Sequence, residues 1–189
     1  MVINKDSRLP PGQVETKKFP VLSLGPTPKI PKEKWELNVY GLVENPMKFS
    51  WDGFLKLPQV NVVKDIHCVT RWSKFDTKWK GVPIDEIIKI VKPKPNAKFI
   101  IAYSYDGYST NLPIEDVMEG KAMIATEYDE KEISSEHGGP ARLLVPHLYF
   151  WKSAKWVKAI EFTDENRPGY WEARGYHIYG DPKKEQRFS

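Results

Sequence analysis

Hydrophobic and polar positions follow two different periods along this chain, and together they predict strands mixed with short helices. Residues 35–41 alternate, with Trp35, Leu37 and Val39 on one side of an extended chain, which is the pattern of a half-buried strand. In residues 84–91 the isoleucines and the valine instead recur at intervals of three and four residues. That spacing places them on one face of a helix.

The remaining segments extend this pattern. Helical spacing or capping residues predict two further short helices, at 50–57 and 113–119. Short apolar or β-branched runs predict strands at 60–69, 99–104, 108–112, 122–127, 142–145 and 157–163. Strands outnumber helices and the helices are intermittent. The predicted fold class is therefore α+β, strand-rich and mixed, rather than a doubly wound α/β fold.

The two ends of the chain differ from the middle. Residues 1–33 contain six prolines and have no clear period, but they include Phe19 and Leu22, which favour burial. We therefore predict an extended N-terminal arm that packs on a single domain formed by residues 34–189. From Asn166 onward the domain ends in an irregular tail rich in aromatic residues.

Composition narrows the class of protein. The chain has 189 residues, of which 40% are hydrophobic and 13% aromatic, so it can bury a core and is not intrinsically disordered. Its longest apolar run, residues 143–151, is far shorter than the roughly 20 residues of a membrane span. The N-terminus lacks an apolar signal segment, which predicts a cytoplasmic location. A net charge of +4 without a basic cluster argues against nucleic-acid binding and suits an anionic ligand.

The single cysteine, Cys68, is the first candidate for chemistry. It excludes an intrachain disulfide, a cysteine-rich zinc module and a cysteine-held iron–sulfur cluster. A thiolate at neutral pH needs nearby positive charge or a metal, and His67, Arg71 and Lys74 could supply the charge. From the residues alone, Cys68 is either a small buried side chain at a strand end or a reactive thiol. The four histidines lack metal-ligand spacing, and common nucleotide-binding and hydrolase motifs are absent.

Residues 137–156 are the second candidate. Two glycines permit close backbone approach, Arg142, Lys152 and Lys155 are cationic, and Ser153 carries a hydroxyl. A turn at 152–155 could direct backbone N–H groups at an anion such as phosphate. The alternative is a solvated surface loop.

Three segments resemble one family in their order and intervals: DIHCVTRWS (65–73), YDGYSTNLP (105–113) and HGGPARLLVP with FWKSAKWVKAIEF (137–162). The chain resembles the molybdopterin-binding domain of the sulfite oxidase family, most closely its stand-alone prokaryotic members. The resemblance extends to the arm around FPVLSLGPTP and to the aromatic tail, and so covers nearly the whole chain.

The resemblance implies one molybdopterin whose dithiolene binds molybdenum, with Cys68 as the protein ligand to the metal. Soft thiolate ligation is consistent with such a metal. The family's cofactor contacts map onto His67, Cys68, Ser104, His137, Arg142, Ser153, Ala154 and Lys155. The arm around residues 20–23 would close the pocket by backbone contacts.

The implied activity is oxygen-atom transfer on a small substrate, with Cys68 and Arg71 as the catalytic residues. An arginine three residues after the metal ligand would attract an oxyanion such as sulfite, with Trp72, Tyr176 and His177 as walls. Arg71 could instead bind the pterin or pair with Asp65 or Asp76. Because no haem, flavin or iron–sulfur motif is present, a separate electron carrier is implied.

Other functions stay open. The chain could reduce a small S-oxide or N-oxide instead of oxidising sulfite. It could also be a non-catalytic molybdopterin-binding module, or an unrelated cysteine enzyme without a metal.

Overall fold

The computed structural model describes residues 8–189, so residues 1–7 of the predicted arm lie outside the described residues. Two mixed sheets form the molecule. The first has a long central strand, and its six strands are β1 (Val14–Glu15), β4 (Val60–His67), β5 (Trp72–Pro83), β8 (Met123–Tyr128), β9 (Lys131–Glu132) and β10 (Arg142–Leu144).

The second sheet has five strands, which are β2 (Glu36–Gly41), β3 (Met47–Ser50), β6 (Phe99–Ser104), β7 (Ser109–Pro113) and β11 (Val157–Thr163). Its spatial order is β3-β2-β11-β6-β7. β2 and the central strand β11 pair parallel, and the other pairs are antiparallel. In the first sheet, β5 pairs with β4 and β8 antiparallel and with β1 parallel.

The described residues form two α-helices, α1 (Trp51–Leu55) and α2 (Ile84–Val91). The predicted cap of α1 is present, because the Ser50 hydroxyl accepts a hydrogen bond from the Gly53 N–H at 3.2 Å. The other helical segments are 3₁₀ turns of three residues, and the predicted helix 113–119 is one of them, at Ile114–Asp116. Strand-rich sheets with few short helices confirm the α+β prediction. No helix within residues 8–189 is long and apolar enough to cross a membrane.

Hydrophobic side chains from both sheets and both helices form the main core, including Leu37, Ile87 and Ile160, all fully buried. A smaller cluster lies on the other face of the first sheet. Successive residues of a strand point to opposite faces. Accordingly, Ile124 belongs to the main core while its neighbour Met123 belongs to the second cluster.

The prediction missed the longest strand, β5. Several of its buried positions carry polar side chains, Ser73 and Thr77 among them, so the sequence lacks an apolar alternation there. The structure satisfies Thr77 through hydrogen bonds: its hydroxyl donates to the Lys64 carbonyl at 2.5 Å and accepts from the Trp79 indole N–H at 2.8 Å. These partners lie across the strand pair or two residues away, where pattern reading does not find them.

The described part of the arm, residues 8–33, packs on the first sheet. Its β1 strand pairs with β5, and Phe19 packs on the second cluster. Arg8 forms ion pairs with Asp65 and Asp76, each at 2.5 Å. These are the two carboxylates that the sequence analysis offered as partners of Arg71.

Candidate active site

A cavity of about 400 Å³ lies where the arm, the loop after β4, the end of β6 and the loop before β11 meet. Small-molecule sites in proteins typically have volumes of about 300–1,000 Å³. Residues far apart in sequence therefore converge on one pocket. Seven of the nine predicted site residues line it, namely Cys68, Ser104, His137, Arg142, Ser153, Ala154 and Lys155.

Cys68 follows β4 directly and begins a tight turn. The Arg71 N–H donates to the Cys68 carbonyl at 3.0 Å, and the Cys68 N–H donates to the Trp72 carbonyl at 2.9 Å. The Thr70 hydroxyl lies 3.1 Å from the Cys68 sulfur and donates to it. Burial raises the pKa of the thiol, and the Thr70 hydrogen bond and the positive charge of Arg187 offset part of this rise. The turn thus presents a buried sulfur to the cavity.

Arg142 is a buried cation in the cavity wall. Its side chain is 2% exposed, and its two terminal nitrogens donate to the carbonyls of His137 and Ser153, each at 2.7 Å. Among residues 8–189, no carboxylate lies within ion-pair distance of it. Burial lowers the pKa of Arg142 to about 9. A buried charge without a counter-charge is costly, so this position is suited to an anionic ligand.

Lys155 adds positive charge to the same wall, and His137 lies in the wall beside it. Lys155 donates to the carbonyls of Leu22 and Glu136 at 2.7 and 2.9 Å, and burial together with Arg142 lowers its pKa to about 8. The His137 ring stacks on Phe19, with the ring centroids 3.8 Å apart. Burial and the charges of Arg142 and Lys155 lower the pKa of His137 to about 4. An anion placed here would relieve the repulsion between Arg142 and Lys155.

Several polar groups of the cavity wall have no partner among the described residues. The Ser104 hydroxyl and the Trp72 indole nitrogen are both buried and make no hydrogen bond. The backbone N–H groups of Ala154 and Lys155 likewise donate to no described residue. Buried polar groups are normally satisfied, so these four can serve a bound polar molecule.

A glycine, Gly138, lets the backbone at position 138 lie close to Lys155 in the cavity wall. Gly138 has φ of +106°, and a Cβ placed on it would lie 2.9 Å from the Lys155 Cβ. A side chain at position 138 would therefore force residues 138 and 155 apart.

Two predicted site residues lie outside the cavity wall that the described residues form. His67 is buried on the other side of the chain, with Nδ1 2.8 Å from the Ser73 hydroxyl, as expected because neighbouring residues of an extended chain face opposite sides. Arg71 adopts a left-handed conformation with φ of 77°. Its side chain is 63% exposed and lies 3.9 Å from Glu185. The cofactor and catalytic roles predicted for these two residues stay predictions.

The third cation of segment 137–156 is not available to a ligand either. Lys152 is fully buried and lies 2.6 Å from Glu172, and it also donates to the carbonyl oxygens of Asn111 and Ile178. His177, predicted as a wall residue, instead accepts hydrogen bonds from the N–H groups of Tyr179 and Gly180. Trp72 and Tyr176 do line the cavity.

Sequence reasoning missed three residues that shape the site. Phe19 of the arm forms part of the wall. Gln13 and Arg187 hold the turn that carries Cys68, although they lie 55 residues before Cys68 and 118 residues after Val69. No local pattern in the sequence indicates contacts over such separations.

The model of the oxidoreductase molybdopterin binding domain matches residues 24–171. The chain belongs to this molybdopterin-binding oxidoreductase family. It is 43% identical to the oxidoreductase YuiH of Bacillus subtilis (strain 168) over 187 residues, which cover 98% of this chain and 94% of YuiH. It is 27% identical to the protein-methionine-sulfoxide reductase catalytic subunit MsrP of Campylobacter jejuni, over 78% of this chain and 55% of MsrP.

The chain thus spans nearly all of YuiH but little more than half of that MsrP. Among solved structures, the sulfane dehydrogenase SoxCD of Paracoccus pantotrophus matches with a TM-score of 0.67 and 23% identity, over 74% of this chain and 40% of SoxCD. This match confirms the sulfite oxidase-type fold.

The residues of the cavity fit the cofactor of the molybdopterin-binding oxidoreductase family. Cys68 offers the soft sulfur donor for molybdenum. Arg142 and Lys155, neither of which forms an ion pair with a carboxylate of residues 8–189, offer positive charge for the phosphate of the pterin. The unpartnered Ser104 hydroxyl and Trp72 indole offer hydrogen bonds to its polar ring atoms. The chain is therefore a molybdopterin-dependent oxidoreductase, as the sequence resemblance predicted.

Proposed function

We propose that the chain reduces a small, uncharged S-oxide to the sulfide. In this reaction the S–O bond breaks, the substrate takes up two electrons and two protons, and the oxygen leaves as water. A separate electron carrier supplies the electrons. The molybdenum–pterin group, when bound, supplies the two-electron redox chemistry, and the protein holds the group, orients the substrate and places a proton.

The observation that carries this choice is the uncharged wall around Cys68. Of the cavity residues, Thr70 donates a hydrogen bond to the Cys68 sulfur, the Trp72 carbonyl accepts one from the Cys68 N–H, and Tyr176 lies in the same wall. The Arg187 guanidinium, whose charge acts on Cys68, is already engaged by backbone carbonyl groups and the Gln13 side chain, and Arg71 lies outside the cavity wall. An oxyanion such as sulfite would need a free cation at this place, whereas a neutral S-oxide would not.

Tyr176 is the residue we propose to hold a proton for the substrate. It lies in the cavity wall, and burial and the neighbouring Cys68 raise the pKa of its phenol. The phenol therefore stays protonated at neutral pH and can donate a hydrogen bond to an S-oxide oxygen. Trp171 stacks on Tyr176 with centroids 4.7 Å apart and fixes the plane of its ring.

The relatives support the same choice without deciding it. Two relatives, at 28% and 27% identity, are named as a putative protein-methionine-sulfoxide reductase subunit and as a protein-methionine-sulfoxide reductase catalytic subunit. Because this chain covers little more than half of each, their substrate enters here only as support for the S-oxide class.

The test is production of the protein with molybdate, followed by metal and pterin analysis and by two assays. We expect stoichiometric molybdenum, reduction of methionine S-oxide with reduced viologen as donor, and little oxidation of sulfite with ferricyanide. Fast sulfite oxidation without S-oxide reduction would contradict the proposal and identify an oxyanion as the substrate. N-oxide reduction in preference to S-oxide reduction would change the substrate class. Bound cofactor without any turnover would indicate a non-catalytic molybdopterin-binding module. Absence of metal from the purified protein would indicate a cysteine enzyme that uses no metal.

Cys68→Ser is the matched variant for this experiment. Exchange of sulfur for oxygen alters the donor to the metal with little change in side-chain volume, so we expect an altered visible spectrum and lost turnover in a folded protein. Spectra and turnover equal to those of the wild type would remove Cys68 from the metal site. The cytoplasmic location stays a prediction, which fractionation of the producing cells checks.

A further inference from the structure

Two buried side chains from opposite ends of the chain meet beneath the turn that carries Cys68. Gln13, in the arm, is 6% exposed, and Arg187, in the tail, is 5% exposed. They contact each other directly, because an Arg187 terminal nitrogen donates to the Gln13 side-chain oxygen at 2.7 Å. We call these two residues the terminal clamp.

The terminal clamp contacts the backbone of the turn formed by residues 68–72 at three points. The Gln13 amide nitrogen lies 3.0 Å from the Cys68 carbonyl and 2.8 Å from the Trp72 carbonyl. Arg187 donates to the Val69 carbonyl at 2.6 Å. The carbonyls of Cys68, Val69 and Trp72 are therefore all bound from outside the turn.

Apart from the terminal clamp, the turn is held from outside by the Val14 N–H of β1, which donates to the Arg71 carbonyl at 2.8 Å. Within the turn, the Cys68 N–H donates to the Trp72 carbonyl and the Arg71 N–H to the Cys68 carbonyl. Arg71 stands in the left-handed region, which costs free energy in a residue other than glycine. A conformation of this kind persists where surrounding groups hold it, and the terminal clamp provides such groups.

We propose that Gln13 and Arg187 are positioning residues that set the place of the Cys68 sulfur. The inference rests on the proposed role of Cys68 as the metal ligand, because the sulfur position matters most when it must meet a metal. Reactive and metal-binding groups must be held to within roughly 0.5 Å of their working geometry. Both residues lie outside residues 24–171. The match to the family model therefore does not include the terminal clamp.

A purely structural role, the fastening of two chain ends, is the competing explanation. It predicts a general loss of stability when the terminal clamp is removed. A positioning role predicts a local effect at the turn and a heterogeneous metal centre. The two explanations therefore differ in where a change appears.

The first experiment measures amide hydrogen exchange in the full-length, metal-free chain. In Gln13→Met and Arg187→Met, we expect the amides of Cys68 and Arg71 to exchange at least about tenfold faster. Each substitution removes hydrogen bonds to the turn, in Arg187→Met from a charged group, so the turn opens more often. Amides of β6 should keep their wild-type rates. Arg174→Met is the matched control, because Arg174 carries the same charge in the same tail but lies on the surface over the Tyr170 ring.

The second experiment uses the molybdenum-loaded protein. Partial reduction yields the paramagnetic Mo(V) state, whose electron paramagnetic resonance reports the geometry of the sulfur donor. We expect one narrow signal in the wild type and in Arg174→Met, and broadened or multiple signals in the two clamp variants. If Arg187→Met does not fold, Arg187→Lys and Gln13→Met take its place, since each keeps part of the contacts.

The outcomes separate this inference from the proposed function. Unchanged exchange at Cys68 and Arg71 in the clamp variants would overturn the positioning role, whatever the metal content. Faster exchange throughout the chain, with β6 included, would favour the purely structural role and also overturn it. A wild type that holds no molybdenum would overturn the proposed function, while the exchange experiment would still decide whether the terminal clamp holds the turn.

Discussion

At the scale of single residues, the unusual feature of the site is positive charge that is buried without a counter-charge. Arg142 is satisfied in its hydrogen bonds but not in its charge. Hydrogen bonds to carbonyl oxygens repay part of the desolvation cost, and an anion would repay the rest. The protein alone therefore leaves the charge of Arg142 without a counter-charge, and an anionic group bound in the cavity would supply one.

Arg142→Met tests this conclusion. The guanidinium is expected to bind the phosphate of the pterin by charge-assisted hydrogen bonds, so the variant should purify with at least about tenfold less cofactor. Pterin fluorescence after oxidative release, together with molybdenum analysis, measures the content. Arg174→Met, which removes a surface guanidinium, should keep the wild-type content. Equal cofactor content in both variants would contradict the anion site.

The pH dependence of stability gives a second test at this scale. In the cofactor-free protein the pKa of Lys155 is lowered to about 8 from 10.5 by burial and by Arg142. Between these values the unfolded chain binds more protons than the folded one, so stability rises with pH. Relative to Lys155→Met, the wild type should gain at most about 1.4 kcal/mol per pH unit from pH 8 to 10.

Urea denaturation of both proteins at pH 7, 8, 9 and 10 measures this difference. Cofactor-loaded protein should lose the slope, because a phosphate beside Lys155 restores its ordinary pKa. If the free energies of unfolding of wild type and Lys155→Met differ by the same amount at every pH, the lowered pKa of Lys155 is wrong.

At the scale of elements, the arm is part of the cavity wall. Phe19 stacks on His137 and packs near Trp72 and Phe150, which also line the cavity. Phe19→Ala should therefore cost about 2 kcal/mol of stability and should also reduce cofactor retention. Val21→Ala, at an exposed position of the same arm outside the cavity wall, should change neither. Thermal denaturation and metal analysis check both variants. Normal cofactor content in Phe19→Ala would mean that the arm is dispensable for the site.

The elements also show how far sequence alone could go. Helix α2 follows from its spacing, and strands such as β2 and β11 follow from their patterns. Cys68, Arg142, Ser153 and Lys155 were candidates from their chemistry alone, and the family resemblance, not periodicity, added Ser104, His137 and Ala154. The exposed position of the Arg71 side chain could not be predicted. Arg71 has a left-handed backbone conformation, which changes the direction of its side chain and which the sequence does not indicate. The role of Arg187 could not be predicted, because its partners are carbonyl groups 118 and 176 residues earlier in the chain.

At the scale of the whole molecule, a buried ion pair fastens the aromatic tail to the core. Glu172 lies 2.6 Å from Lys152 and also accepts from the Trp151 indole at 2.9 Å and the Thr110 hydroxyl at 2.8 Å. Trp171, the neighbour of Glu172, lines the cavity. The pair therefore connects the stability of the tail with the shape of the substrate wall.

Lys152→Met should be strongly destabilising, by about 3–5 kcal/mol, because it leaves the Glu172 charge buried without a partner. The double variant Lys152→Met with Glu172→Gln removes both charges and should recover most of this loss. Urea denaturation of the wild type, the two single variants and the double variant measures the coupling. A double variant as unstable as the sum of the single variants would show that the two charges do not depend on each other.

The parallel pairing of β2 with β11 has a consequence for synthesis of the chain. β2 ends at Gly41 and its partner begins at Val157, so one edge of β2 stays unpaired while the residues between them are translated. At about 5–20 residues per second, that interval is on the order of ten seconds. An unpaired strand edge can join strands of other chains. The nascent polypeptide on the ribosome, more than the finished protein, is thus the stage at which this fold is open to aggregation.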